Sequence, residues 1–357
     1  MRTRLAIAAA LGALTIGVFA GPAAACGGLV GENGTIQLQR TTTLAAYHDG
    51  VEHYVTSFEF TGEGKEVGSI IPLPGVPTAV ERGGSWTLQR LEREVAPPLR
   101  EFDQAKATAA AAPDATVLYQ TQIDALEITI LEGGGTQVGK WAIDHGFLLT
   151  PDAPEVLDYY SQRSPIFMAA RFDAAAAEER GQSSGDGTPI QLTIPTDHPW
   201  VPLRILGLGL EADRIVQADV FLLTDDRPQL LAGGRGLTLE RSQAASSQLL
   251  DELRSDQNMS WVPAAQWLSY LRVDATAGDL HYDLATSVDR ERRPSLVDAG
   301  LTRRDLGAGT TDVPLPDTGR WGWWGFGWWP IALVLTTVAL AGAVTMVVRA
   351  RPTTQRS

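Results

Sequence analysis

A strand-like pattern of apolar and polar positions runs over TIQLQRTTTLAAYH and again over VEHYVTSFEF, and the two runs are joined by Asp49-Gly50. Asp-Gly is a strong two-residue type I′ turn signal, so Thr35 to Phe60 reads as a β-hairpin. The period of two puts Tyr54, Thr56, Phe58 and Phe60 on one face, the expected core face. His53, Val55, Ser57 and Glu59 fall on the other, which is expected to be solvated. A third strand, VGSIIPLPGVP, runs into a proline-rich exit, and Ser85 then stands as the N-cap of a helix over WTLQRLEREV.

Further along, Ala105 to Ala112 is an alanine-rich helical stretch and LEITIL alternates as a strand. Val138, Trp141, Ala142 and His145 recur at i, i+3, i+4 and i+7, which predicts an amphipathic helix closed by Gly146. A helix over Glu155 to Ser161 follows, then a strand, PIFMAARFD, a polar loop, ERGQSSGDG, and a second strand, TPIQLTIP. HPWVPLRILGLGL and RIVQADVFLLT read as extended chain, and SSQLLDELRSDQ as a short capped helix. Hairpins with interspersed helices and no βαβ alternation predict an α+β fold with antiparallel sheets.

The two ends set where such a domain would sit. Residues 1–25 carry two arginines, an apolar run from Leu5 to Gly21, Pro22 and then Ala23-Ala24-Ala25, the form of a secretory signal cut by signal peptidase between Ala25 and Cys26. Cys26 is the single cysteine, so no internal disulfide can form. A cysteine at this place also allows acylation as a lipoprotein, although Ala23-Ala24-Ala25 fits a lipobox poorly and ordinary cleavage fits better. Pro330 to Val348 has no charge and would rise about 28 Å as a helix, enough to span a bilayer. Arg349, Arg351 and Arg356 follow it and place the C-terminus in the cytoplasm by the positive-inside rule, with the tryptophans of residues 320–329 at the outer interface. The predicted order is therefore a signal peptide (1–25), an extracellular domain (26–300), a flexible stalk (301–319), a Trp-rich segment (320–329), a transmembrane helix (330–348) and a basic tail (349–357). A division of the large domain into two subdomains near residue 164 stays open.

Charge narrows the partners. The formal net charge is −13, and the terminal segments hold arginines but no acid, so the extracellular part is more acidic than the whole. Nucleic acid and anionic headgroups are excluded as its partners on this ground. Lysine occurs at Lys65, Lys106 and Lys140 alone, which points to a GC-rich, actinobacterial genome.

Several segments together resemble one family. ACGGLV, TTTLAAYHDGVEHYVTSFEF, GSIIPLPGVPT, LQRLEREVAPP, WAIDHGFLL with the later DYY, and PWVPLRI are similar to the domain of unknown function 2330 family. The resemblance covers nearly the whole extracellular part and implies exported or membrane-anchored bacterial proteins without an assigned activity. It brings no catalytic residues. Where the family pattern has a second cysteine soon after Cys-Gly-Gly, this chain has Leu29 and Val30, so a bridge from Cys26 is in doubt.

Candidate chemistry starts with the histidines at 48, 53, 145, 198 and 281. A two-residue turn pairs His48 with Val51 and Ala46 with His53, which sets both histidines diagonally on one face where they could touch one metal ion, without an evident third ligand. His145 reads as a packed or capping residue beside Trp141. Asp197-His198 and His281-Tyr282-Asp283 are possible acid/base pairs lacking a nucleophile motif. No G-x-S-x-G, H-E-x-x-H, P-loop or dinucleotide fingerprint occurs, and GGGTQVG reads as a turn. Trp86, Trp141, Trp200, Trp261 and Trp267 are either sugar-stacking platforms or core. No catalytic, cofactor or metal residue is assigned, and a non-catalytic surface module is favoured over an exported hydrolase or metal-dependent enzyme.

LPDTG, Leu315 to Gly319, resembles the sortase signal L-P-x-T-G, in which cleavage between Thr318 and Gly319 joins the protein to peptidoglycan. Stalk, span and basic tail stand in the order such a signal needs. The tryptophan-rich insert lengthens the anchor and keeps permanent membrane residence open as the alternative.

Overall fold

The computed structural model describes residues 28–31, 37–61, 67–95, 115–173, 187–233, 235–289 and 293–302. In chain order, β1 (Gly28–Gly31) precedes the hairpin of β2 (Gln37–His48) and β3 (Val51–Thr61). Then come β4 (Val67–Leu73), β5 (Ala79–Arg82) and helix α1 (Thr87–Val95). A second hairpin, β6 (Thr116–Ile123) and β7 (Leu126–Glu132), leads into α2 (Gly135–Asp144), α3 (Ala153–Ser161) and β8 (Ile166–Phe172). Next are β9 (Ile190–Pro195), β10 (Trp200–Val201), β11 (Ile215–Thr224), β12 (Gln229–Leu231) and β13 (Leu237–Ala244). Helix α4 (Ser247–Ser255), β14 (Trp267–Thr276) and β15 (Leu284–Ser287) follow.

The result is mostly β-sheet with a few helices, in line with the α+β expectation. A seven-stranded sheet has the order β13-β14-β11-β2-β3-β9-β5, a five-stranded sheet β1-β4-β8-β7-β6, and a small one β10-β15-β12. Among the described residues every pairing is antiparallel except that of β2 with β11, which run parallel. Strands from both sides of residue 164 share each of the two larger sheets.

The β2–β3 turn forms as its sequence dictates. Asp49 (φ 49°) and Gly50 (φ 78°) both adopt positive φ, the type I′ requirement, and the register pairs His48 with Val51 and Ala46 with His53. The expected two-faced hairpin does not survive, because the sheet that contains it is covered on both sides. Tyr54 and Ala45 join a large core with Ile70, Ile128, Phe167 and Met168 of the five-stranded sheet and Val138, Leu157 and Tyr160 of α2 and α3. On the other side Leu44, Ala46, Val55, Phe221 and Leu223 pack under Leu88 and Leu91 of α1 and Leu249, Leu250 and Leu253 of α4. Each of the buried Leu, Ile, Val, Phe and Met side chains contributes about 1.5–3 kcal/mol. Val55, placed on a solvated face by its period, is fully buried, while the side chains of Phe58, Glu59 and Phe60 lie outside the described residues.

Three further expectations change. Helix α1 begins at Thr87, and its cap is not Ser85: the backbone N–H groups of Ser85 (3.1 Å) and Trp86 (2.9 Å) donate to the carboxylate of Asp256, as does the Thr87 hydroxyl (2.8 Å). Asp256 immediately follows α4, so one carboxylate ties the two helices that roof the sheet. A Cβ at Gly84 would collide with that carboxylate. HPWVPLRILGLGL is a strand only at β10 and becomes a 3-10 turn at Arg204–Gly207, since Pro199 and Pro202 remove ladder donors. Strand β14 is not among the elements predicted above, although Leu271, Val273 and Ala275 alternate with Arg272 and Asp274 along it.

No helix among the described residues is long and apolar enough to cross a membrane. The predicted signal peptide, the alanine-rich stretch 105–112, the stalk and the span at 330–348 lie outside the described residues.

Candidate functional site

The tip of the β2–β3 hairpin separates two polar regions, because Tyr47 and His48 point to opposite faces of β2. On the His48 side, the parallel ladder sets Thr224 opposite Tyr47, which delivers the next residue, Asp225, to the imidazole. His48 Nδ1 and Asp225 Oδ1 are 2.6 Å apart, and Gln266, itself buried, donates its Nε2–H to the same oxygen at 2.7 Å. His48 Nε2 lies 3.3 Å from Asp49 Oδ2. His48 and Asp225 are each half-exposed. Two carboxylates thus flank one imidazole, a grouping invisible in sequence because Asp225 comes from a distant strand.

His53 shares this face with His48, as its register predicts, but engages elsewhere. Its ring stacks on Trp261, whose indole N–H is fixed by Gln191 Oε1 at 3.1 Å. Burial, with the nearby His48 as a lesser cause, lowers the His53 pKa to about 4, so the ring is neutral near pH 7.

On the Tyr47 side a cleft of about 350 Å³ opens between the 196–199 loop, the end of β15 and residues 293–298. Tyr47 donates its hydroxyl to the Thr196 carbonyl (3.0 Å), and the Thr196 side chain accepts the His198 backbone N–H (3.1 Å). His198 Nδ1 lies 3.3 Å from Asp298 Oδ2, so its acid partner is Asp298 and not its neighbour Asp197. The two serines of the cleft face backbone: Ser287 Oγ accepts from Asp289 N (3.2 Å) and Ser295 Oγ from Asp298 N (3.0 Å). Thr286 also lines the cleft, and its buried hydroxyl has no hydrogen-bond partner among the described residues.

Directly across from Tyr47 on β3 stands Glu52, fully buried. Neither carboxyl oxygen makes a hydrogen bond among the described residues. Burial pushes its pKa up to about 8, opposed by the Trp200 backbone. That contact falls short of a hydrogen bond of ordinary geometry, so burial dominates and favours the neutral acid near pH 7.

The remaining candidates serve the fold. Asp283, a possible partner of His281 by adjacency, is wholly buried. Its Oδ1 accepts from Tyr160 Oη (2.8 Å) and from the backbone N–H groups of Leu203 (2.6 Å) and Arg204 (3.0 Å), and its Oδ2 pairs with Arg163. The Arg163 guanidinium lies 4.7, 5.0 and 4.6 Å from the ring centroids of Tyr159, Tyr160 and Trp200. This clamp ties α3 to the chain after β10. His145 stacks on Trp141 (3.7 Å), its Nδ1 2.8 Å from the Trp141 carbonyl, which fits the packed reading. Trp141 and Trp200 are core residues, and Trp86, Trp261 and Trp267 are half-buried. Ala25, Cys26, Thr318 and Gly319 lie outside the described residues.

A family profile described as an uncharacterized protein conserved in bacteria (DUF2330) matches residues 20–229. No curated protein matches the chain. Among solved structures, the crystal structure of baculovirus P35 is 9% identical and covers 71% of this chain and 97% of its own, with a TM-score of 0.33. A likeness at that score carries no argument about this protein. The family match spans more than half of the 357 residues, and the chain belongs to DUF2330, a family of uncharacterized proteins conserved in bacteria.

Proposed function

We propose that this protein is exported and held at the cell surface by its C-terminus, and that its folded part binds an envelope ligand without transforming it. The location rests on the ordered ends of the chain: a secretory signal ahead of the domain, and LPDTG, an apolar run and arginines behind it. The observation that carries the binding reading is the make-up of the Tyr47 cleft. His198 is its one histidine, and among the described residues neither Ser287 nor Ser295 makes a hydrogen bond to it, so no activated nucleophile is assembled. Three carboxylates, of Asp197, Asp289 and Asp298, and the Arg293 guanidinium line the cleft and offer a polar ligand partners of both charges.

The His198–Asp298 pair favours a second reading, an exported hydrolase. One experiment separates the two. The protein is incubated with peptidoglycan sacculi, and both co-sedimentation and soluble fragments are measured for wild type, His198→Ala and Arg293→Ala. The binding reading expects retention that weakens in both variants, with no fragments released. Fragments that disappear with His198→Ala would establish the hydrolase, and no retention of wild type would remove the wall as ligand.

A further inference from the structure

The charges around the Tyr47 cleft narrow what it can hold. We infer, on the binding reading above, that the cleft takes a short peptide bearing a free ammonium group and a free carboxylate. Asp197, Asp289 and Asp298 line it together with Arg293, so the lining is net negative whether or not His198 carries a proton. A polyanion is repelled by such a lining, and a neutral glycan leaves charges of both signs uncompensated. Among the described residues the Arg293 guanidinium has no ion pair and the Asp197 carboxylate no hydrogen bond, so one group of each sign is available to a ligand.

The fold holds the acids in place. Ser295 and Asp298 bond reciprocally, the Ser295 N–H to Asp298 Oδ2 at 3.3 Å and the Asp298 N–H to Ser295 Oγ at 3.0 Å, which orients this carboxylate beside His198. On the other wall the Tyr47 hydroxyl holds the Thr196 carbonyl, and the Thr196 side chain holds the His198 N–H. Asp197, between them, is therefore carried by a pinned turn. The Asp298 side chain is 18% exposed, and an ammonium partner gains more at such a partly desolvated carboxylate than at open surface. Pro199 and Pro294 add apolar walls whose rings lose no rotamer freedom on contact. The volume of about 350 Å³ lies at the lower end of the roughly 300–1,000 Å³ of small-ligand sites, which suits a peptide of a few residues.

Full-length protein in detergent is titrated by calorimetry at low ionic strength with the tripeptide Ala-Lys-Ala, with its doubly N-acetylated form and with its C-terminal amide. One equivalent of the tripeptide should bind, and acetylation or Asp197→Asn should each weaken it about tenfold or more. Amidation should weaken binding to wild type but not to Arg293→Ala, where the carboxylate has already lost its partner. Circular dichroism shows that each variant is folded, and a neutral N-acetylglucosamine oligomer should not compete. Absence of saturable binding, affinity indifferent to acetylation, full sensitivity to amidation in folded Arg293→Ala, or displacement by the oligosaccharide would overturn the assignment. Sacculi sedimented with the same preparation separate the two readings. Retention on sacculi without tripeptide binding removes the peptide ligand alone, and tripeptide binding without retention removes the wall alone.

Discussion

The imidazole of His53 lies flat on the indole of Trp261, with ring centroids 3.9 Å apart and planes 4° from parallel. This contact closes the face of the hairpin that its alternation assigns to solvent. It also fixes the protonation of His53, because a charge there would be half-buried and close to His48. One residue earlier, on the opposite face, Glu52 is held neutral by burial. Neighbouring residues of one strand therefore have pKa values displaced in opposite senses.

The signs give a pH signature. His53 has its folded pKa, about 4, below its unfolded value of 6.5, so its contribution is lost as pH falls through that window. Glu52 has its folded pKa, about 8, above its unfolded 4.5, so its contribution is lost as pH rises from 4.5 to 8. Between 4.5 and 6.5 the two offset. In urea titrations across pH 6.5 to 8, Glu52→Gln should remove a decline of up to about 1.4 kcal/mol per pH unit relative to wild type. Parallel curves for the two proteins would show that Glu52 is ionised in the fold. His53→Phe should keep the stack and remove the offset, so that stability rises as pH falls from 6.5 to 4.5 instead of staying level.

Asp256, distant in sequence, anchors the chain that enters α1, and Ser85 does not cap the helix. Asp256→Ala should lower stability by about 2 kcal/mol, since it strands three donors at the entry to α1 and the Gln257 N–H, whereas Ser85→Ala should change it by less than about 0.5 kcal/mol. Equal effects in equilibrium denaturation would restore the local cap.

The contrast between these two residues shows what the sequence could reveal. The hairpin, its turn and its register were legible because Asp49-Gly50 and a period of two are local signals. The α2 helix and the His145–Trp141 contact were legible for the same reason, through spacing at 3.6 residues per turn. Burial of Val55, the anchoring of the α1 entry by Asp256 and the approach of Asp225 to His48 depend on β11, α4 and the chain between them. No local pattern encodes which distant segment will cover a face. Adjacency alone offers Asp283 to His281, whereas its partners arrive from α3 and the turn after β10.

Arg163 and Asp283 form a buried ion pair, with side chains 7% and 0% exposed. Asp283→Asn leaves the guanidinium uncompensated among three aromatic rings. It should cost about 3–5 kcal/mol by urea denaturation. A loss below about 1 kcal/mol would mean that the cluster is wetter than its geometry indicates.

The family match ends at residue 229, yet the seven-stranded sheet needs β13 and β14 from beyond it. A fragment of residues 27–302 should melt cooperatively, with the same midpoint with or without reductant because it contains no cysteine. A fragment of residues 27–229 should show no cooperative transition, having lost the strand that pairs with β11 along Ile215 to Thr224. Cooperative melting of the shorter piece would place the domain boundary at the end of the family match.

The central claim, a binding domain displayed outside the cell, is tested most directly by treating intact cells with protease and then fractionating cells that express wild type or Thr318→Ala. The account predicts that protease removes the domain from intact cells, that wild type sediments with the cell wall, and that Thr318→Ala shifts to the detergent-soluble membrane. Wild type found at full length in the membrane would refute sorting at LPDTG while keeping the display. A domain protected from protease and recovered in the soluble cytoplasm would contradict the account.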